Sequence, residues 1–179
     1  MENPVDLNGF VLAMTESAYA QVKAACDGLT DEQFFCQPTP ETNSIAWLIW
    51  HMSRARDLIT SNISGENQVW IYNGWSDRFG LDAEDVGIGD SPEKVAAFHA
   101  DRSLVMGYLD DAHEATMRRL SMIPTEQFDQ LVVYALGDTR PVWRALVGMP
   151  GDSTQHTGQI AYLRGMFTGM GWRRKAGWN

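Results

Sequence analysis

Cysteine is scarce in this chain of 179 residues: Cys26 and Cys36 are its only two, and they form no CxxC pair. A disulfide framework and a cysteine-built metal cluster are therefore excluded, and reduced thiols are expected. Long apolar runs are also missing. No stretch approaches the roughly eighteen uninterrupted apolar residues of a membrane span, and MENPVDLNGF lacks a basic segment followed by an apolar one. These absences point to a soluble, cytoplasmic protein with no membrane partner. Basic residues are outnumbered, 14 against 23 acidic, for a net charge of -9, which argues against a nucleic-acid partner. The only basic cluster, Arg173-Arg174-Lys175, reads as a solvated tail. Internal repeats and low-complexity segments are absent too. With 44% hydrophobic residues, the chain reads as a single domain over residues 1–179 with a sizeable core.

What is present is helical patterning. Leu7, Phe10, Val11, Met14, Ala18, Val22 and Ala25 form a stripe that ends at Asp27-Gly28. Thr30 is placed to cap a short turn carrying Phe34 and Phe35, and Pro38 and Pro40 predict an extended connector. A second helix is predicted from about Ser44 to Asn62, with Asn43 or Ser44 as its cap and His51 inside its apolar arc. A long connection follows, from about Ser64 to Asp90, carrying Trp70, Tyr72, Trp75 and Phe79. Its aromatics either plug the end of the fold or wall a pocket, with Asp77 and Arg78 as polar contacts. Ser91-Pro92-Glu93 opens a third helix, expected to run about thirty residues to Leu120 or Ser121 with a kink at Gly107. His99 and His113 fall at the border of its stripe and read as surface or boundary residues. Leu131 to Leu136 looks extended, but no partner run argues for a sheet.

The organising stretch is GMPGDSTQHTGQIAYLRGMFTG, residues 148–169. His156, Gln159, Ile160, Leu163, Met166, Phe167 and Met170 recur at helical spacing, so one face begins polar and ends apolar. Pro150 and Gly151 predict an interruption, with the helix starting near Asp152. Asp152 then has two readings. In one it is the N-cap of a capping box that Gln155 closes. In the other, Asp152 and His156, four apart on one face, hold a metal ion. The second reading needs a third ligand, and His51 supplies an inward imidazole from another helix. Together they form a two-histidine, one-carboxylate set with open coordination positions.

Four helical patterns imply an all-α, four-helix bundle. Here the sequence resembles the DinB-like superfamily, and its DUF664 branch in particular, on SIAWLIWHMSRARD and DSTQHTGQIAYLRG. The resemblance implies a divalent metal held by one histidine of the second helix and two, four apart, in the last. Those positions are His51, Asp152 and His156, and the middle one departs from the family by carrying aspartate. Zinc is the first expectation, with nickel, iron and manganese as alternatives. Thiol-dependent S-transferases of the family imply a low-molecular-weight thiol cofactor and an electrophilic small-molecule substrate. Gln159 then orients a ligand or a metal-bound water, while Trp75 and Arg78 are candidate contacts to the thiol. The alternatives are a hydrolase, a non-haem iron enzyme, or a non-catalytic small-molecule-binding stress-response protein. A homodimer is compatible with this fold class.

Overall fold

The computed structural model describes residues 6–135 and 137–175. In chain order its helices begin with α1 (Leu7–Cys26), α2 (Asp31–Phe35), α3 (Ile45–Ser64), α4 (Val69–Tyr72), α5 (Trp75–Phe79), α6 (Pro92–Ala96) and α7 (Arg102–Ser121). A 3-10 turn at Thr125–Gln127, strands β1 (Leu131–Val133) and β2 (Thr139–Pro141), α8 (Val142–Thr168) and α9 (Trp172–Lys175) complete it. Four helices are long, and each packs on two others: α1 on α7 and α8, and α3 on α7 and α8. Among the described residues, no helix is long and apolar enough to cross a membrane. Leu136 lies outside the described residues, as do the side chains of Arg174 and Lys175.

Local chemistry sets the starts of α1, α2, α3 and α6. The Ser44 hydroxyl accepts from the Trp47 amide at 3.1 Å, and Thr30 and Gln33 form a reciprocal capping box on α2. Asp6 caps α1 through the Gly9 amide. On α1 the expected stripe buries Val11, Ala18, Val22 and Ala25, whereas Phe10 is 55% exposed and Thr15 takes a core position instead.

The structure corrects the sequence reading of the elements at several places. The long connection is not irregular, because it contains α4 and α5. The start of α4 lacks a side-chain cap of its own; Asp57 of α3 supplies one, accepting from the Val69 and Trp70 amides at 3.1 and 2.9 Å. The third helix is split at residues 97–101. Thirty helical residues would extend about 45 Å, against about 30 Å for the twenty-residue helices α1 and α3 beside them. The break also seats Phe98 against Trp50 and Phe79, with ring centroids 5.3 and 6.2 Å apart.

Gly107 lies inside an uninterrupted α7 and is not a kink. Its missing side chain admits Trp75, whose ring a Cβ would meet at 3.0 Å. Residues 131–133 do find a partner, pairing antiparallel with Thr139–Pro141. Finally, α8 runs unbroken through Pro150 and Gly151. An interior proline costs about 3 kcal/mol. Burying Val142, Leu146 and Met149 on one continuous stripe returns about 1.5–3 kcal/mol for each side chain, so packing wins.

α3 is the central element, with 16 of its 20 residues buried. A single apolar face was expected; the other side is covered by α4, α5 and the segment up to residue 90. Trp50, Trp70, Trp75, Phe79 and Tyr108 pack into one aromatic core there. The loop aromatics thus cover the side of α3 and α7, while Tyr72 stays 77% exposed. Arg54, 1% exposed, ties the segment down by donating to the Asp85 and Ala83 carbonyls and to Gln68.

Candidate metal centre

His51 comes from the middle of α3, and Asp152 and His156 come from successive turns of α8. Each offers one ligand atom, and these atoms all lie within 4.8 Å of one another. Two donors about 2.1 Å from a tetrahedral ion stand about 3.4 Å apart, so side-chain rotation of little more than an ångström closes the set. Asp152 is mid-helix rather than a cap, since α8 starts ten residues earlier at Val142. The capping-box reading is therefore overturned: an interior residue faces no unpaired helix-start amides. The backbone of α8 leaves the carboxylate free for His156, and Asp152 Oδ1 sits 3.4 Å from His156 Nε2.

The hydrogen bonds around the imidazoles matter most. His51 Nδ1 donates to the Val86 carbonyl at 2.5 Å, and His156 Nδ1 donates to Gln159 Oε1 at 2.7 Å. Both rings therefore present Nε2 as the free lone pair, the arrangement in which protein acceptors behind a ligating histidine set its tautomer and raise its basicity. The rings stand nearly perpendicular, centroids 4.9 Å apart.

Charge follows this geometry. Burial lowers the His51 pKa and outweighs the Val86 bond, so its imidazole is neutral. For His156 burial again opposes the charge, but the hydrogen bonds to Asp152 and Gln159 prevail and its pKa is raised. Asp152 shows the converse. Burial resists its ionisation, yet the His156 bond and the charges of His156 and Arg56 hold its carboxyl below the ordinary range. In the metal-free protein the Asp152 carboxylate thus favours a proton on His156 Nε2, at the place an ion would take.

Arg56, 2% exposed, stands behind the site. Its Nε donates to Ser153 at 2.9 Å, and its Nη2 is buried with no partner among the described residues. Burial lowers its pKa to about 10, with the Asp152 charge opposing, so the guanidinium remains cationic at neutral pH.

A cavity of about 370 Å³ opens on His51 and Asp152, with Ala55, Ile59, Ile88 and Tyr134 in its walls. Trp75 and Arg78 are not among its lining residues. Trp75 is buried in the aromatic core and donates to Asp111 at 2.6 Å, and Arg78 lies over the Trp75 ring, 3.7 Å from its centroid. Cys26 is no rival nucleophile, because burial pushes its thiol up to about 12. Sequence reasoning missed Val86, Gly87, Arg56 and Tyr134. The paired glycines of Val-Gly-Ile-Gly-Asp were the available signal for the first two.

Gly87 has φ +76°, and a Cβ there would lie 2.8 Å from both Trp47 and Trp50 and 3.1 Å from His51 Nδ1. Gly87→Ala is expected to cost about 2–4 kcal/mol, combining left-handed strain with overpacking. It should also weaken metal affinity by disturbing the Val86 bond. Chemical denaturation and a metal titration on the variant check the two effects separately.

A helical protein with two imidazoles and a carboxylate converging from facing helices is the class that fold and site define. The sequence profile of the DinB superfamily matches residues 14–160, and the chain belongs to that superfamily. It is similar to the crystal structure of a conserved protein from Enterococcus faecalis, with a TM-score of 0.77 and 24% identity over 88% of this chain and 94% of that one. That likeness is one of fold. No curated protein matches the chain in sequence.

Proposed function

We propose that this chain is a metal-dependent enzyme of the thiol S-transferase kind, built on a four-helix bundle of the DUF664 branch. In this reading His51, Asp152 and His156 hold a divalent ion, zinc first. The observation that carries it is the commitment of both Nδ1 atoms, to Val86 and Gln159, which leaves Nε2 of each ring for a metal, with His156 Nε2 3.4 Å from Asp152 and one ligand atom of each residue within 4.8 Å of the others. Three protein ligands leave a position open for an exchangeable one. An ion held there would supply Lewis acidity, lowering the pKa of a thiol beside it.

The chain's own residues favour an anionic partner. Two neutral imidazoles, the Asp152 carboxylate and the Arg56 guanidinium sum to zero, so a divalent ion leaves the site with two positive charges. A thiolate reduces that excess and a neutral ligand does not. The cavity is sized for a small molecule, and Ile59 and Ile88 give it an apolar wall. Incubation of the zinc-loaded protein with a low-molecular-weight thiol and 1-chloro-2,4-dinitrobenzene tests the reading: consumption should require protein, metal and thiol together. Turnover without metal would sink it. The same donor set also suits non-haem iron(II), and elemental analysis of the purified protein separates the two metals.

Two further results are expected. Gln159 is exposed on α8, so Gln159→Ala should leave the metal-free Tm unchanged while weakening metal affinity by about tenfold or more. Metal affinity should also fall with acidity. The ion displaces a proton from His156, whose pKa is raised, whereas His51 is already neutral. Below the raised His156 pKa, affinity should drop about tenfold per pH unit, and above it level off. A series of titrations across that range measures the slope; a flat profile would mean His156 carries no proton for the metal to displace.

A further inference from the structure

We propose that the hydroxyl of Tyr134 is the donor that selects the ligand held in this cavity, favouring small molecules with an oxygen acceptor beyond the atom that meets the metal. This rests on the metal reading above. Tyr134 follows β1 and lines the cavity together with His51 and Asp152.

Its ring is clamped on several sides. The Tyr134 amide donates to the Asp138 carbonyl at 2.7 Å, which fixes the backbone. The Arg140 guanidinium lies over the ring at 3.8 Å. Against the hydroxyl lies α8 at Gly148, where a Cβ would stand 3.0 Å from the phenol oxygen and 3.4 Å from Cζ. Any larger residue at 148 would press on the phenol, so the glycine gives the ring its seat.

The hydroxyl of this half-buried side chain hydrogen-bonds to no described residue and stays open to solvent, so a ligand in the cavity can take it as a partner. The rest of the cavity offers little to compete with it. Ala55, Ile59 and Ile88 are apolar, Asp152 accepts rather than donates, and the His51 Nδ1 proton is already held by Val86. A ligand whose first atom sits beside His51 and Asp152 therefore meets one uncommitted side-chain donor, and a neutral hydrogen bond discriminates by about tenfold.

The test uses two thiols that differ in the acceptor, N-acetylcysteamine with its amide carbonyl and 1-butanethiol without one, bound to cobalt(II)-loaded protein. Thiolate-to-cobalt absorption reads binding independently of turnover. The wild type should bind N-acetylcysteamine about tenfold more tightly than 1-butanethiol. Tyr134→Phe should erase that preference while cobalt content, metal-free Tm and 1-butanethiol affinity stay the same. A preference that survives in Tyr134→Phe overturns the assignment, as does equal affinity for the two thiols in the wild type. Cobalt loading with no absorption from either thiol also overturns it. Failure of the wild type to load cobalt would instead overturn the metal reading beneath it.

Discussion

Asp152→Ala should purify with at least tenfold less metal than the wild type, which is expected to carry about one equivalent. Removing one of three ligands takes away the charged one, and the remaining imidazoles, one on each helix, no longer form a chelating pair on a single helix face. The variant should still fold. Asp152 is interior to α8, where alanine is the better helix former by about 0.5 kcal/mol. Against that gain, Arg56 loses its nearby negative charge. These effects oppose each other, so helix content by circular dichroism should match the metal-free wild type. Metal-dependent stabilisation provides a second readout: added metal should raise the wild-type Tm by mass action and leave that of the variant unmoved. A full equivalent of metal in Asp152→Ala would remove Asp152 from the ligand set.

Asp57→Ala should lower global stability by about 3–5 kcal/mol without touching the metal site, the usual cost of breaking a buried pair from one side. Asp57 is fully buried and takes Arg119 Nη1 at 2.8 Å, as well as the two amides that start α4. Its removal strands the Arg119 guanidinium, itself 1% exposed, and uncaps α4 at once. For a chain of this size the loss corresponds to a Tm lower by about 6–20 °C. Urea denaturation of the metal-free protein measures it, and metal stoichiometry at low temperature should stay at the wild-type value. A loss below about 1 kcal/mol would mean that Glu66, which also meets Arg119, compensates for the missing carboxylate.

The candidate site shows how far sequence reading reaches. His51 was legible as an inward imidazole because its helix has clear periodicity and a serine cap. Asp152 and His156 were legible as a pair because spacing of four residues fixes a shared face on any helix. The Gln159 contact to His156 was within reach for the same reason, one turn further on. Val86 was not, since it lies 35 residues from His51 on a segment without periodic pattern. Arg56 carried no signal either: on a helix surface it would be a solvated charge, and only the packing of α8 on α3, which sets Ser153 against its Nε, put it in the interior. Trp75 and Arg78 were chosen from a loop whose path sequence could not supply, and the path took Trp75 into the aromatic core and left Arg78 exposed over its ring, both away from the cavity.

The sequence by itself determined the helical content, the caps at Thr30, Ser44 and Ser91, the kind of ligand atoms available and the helix faces that carry them. These depend on interactions within about one helical turn, and neighbours along the chain specify such interactions directly. Tertiary structure alone decided that α8 passes through Pro150, that Asp57 rather than a local residue starts α4, and that α3 and α8 bring His51 to Asp152 and His156. Each of these sets a local preference of a few kcal/mol against burial summed over many residues, and burial wins only between segments the fold has already brought into contact.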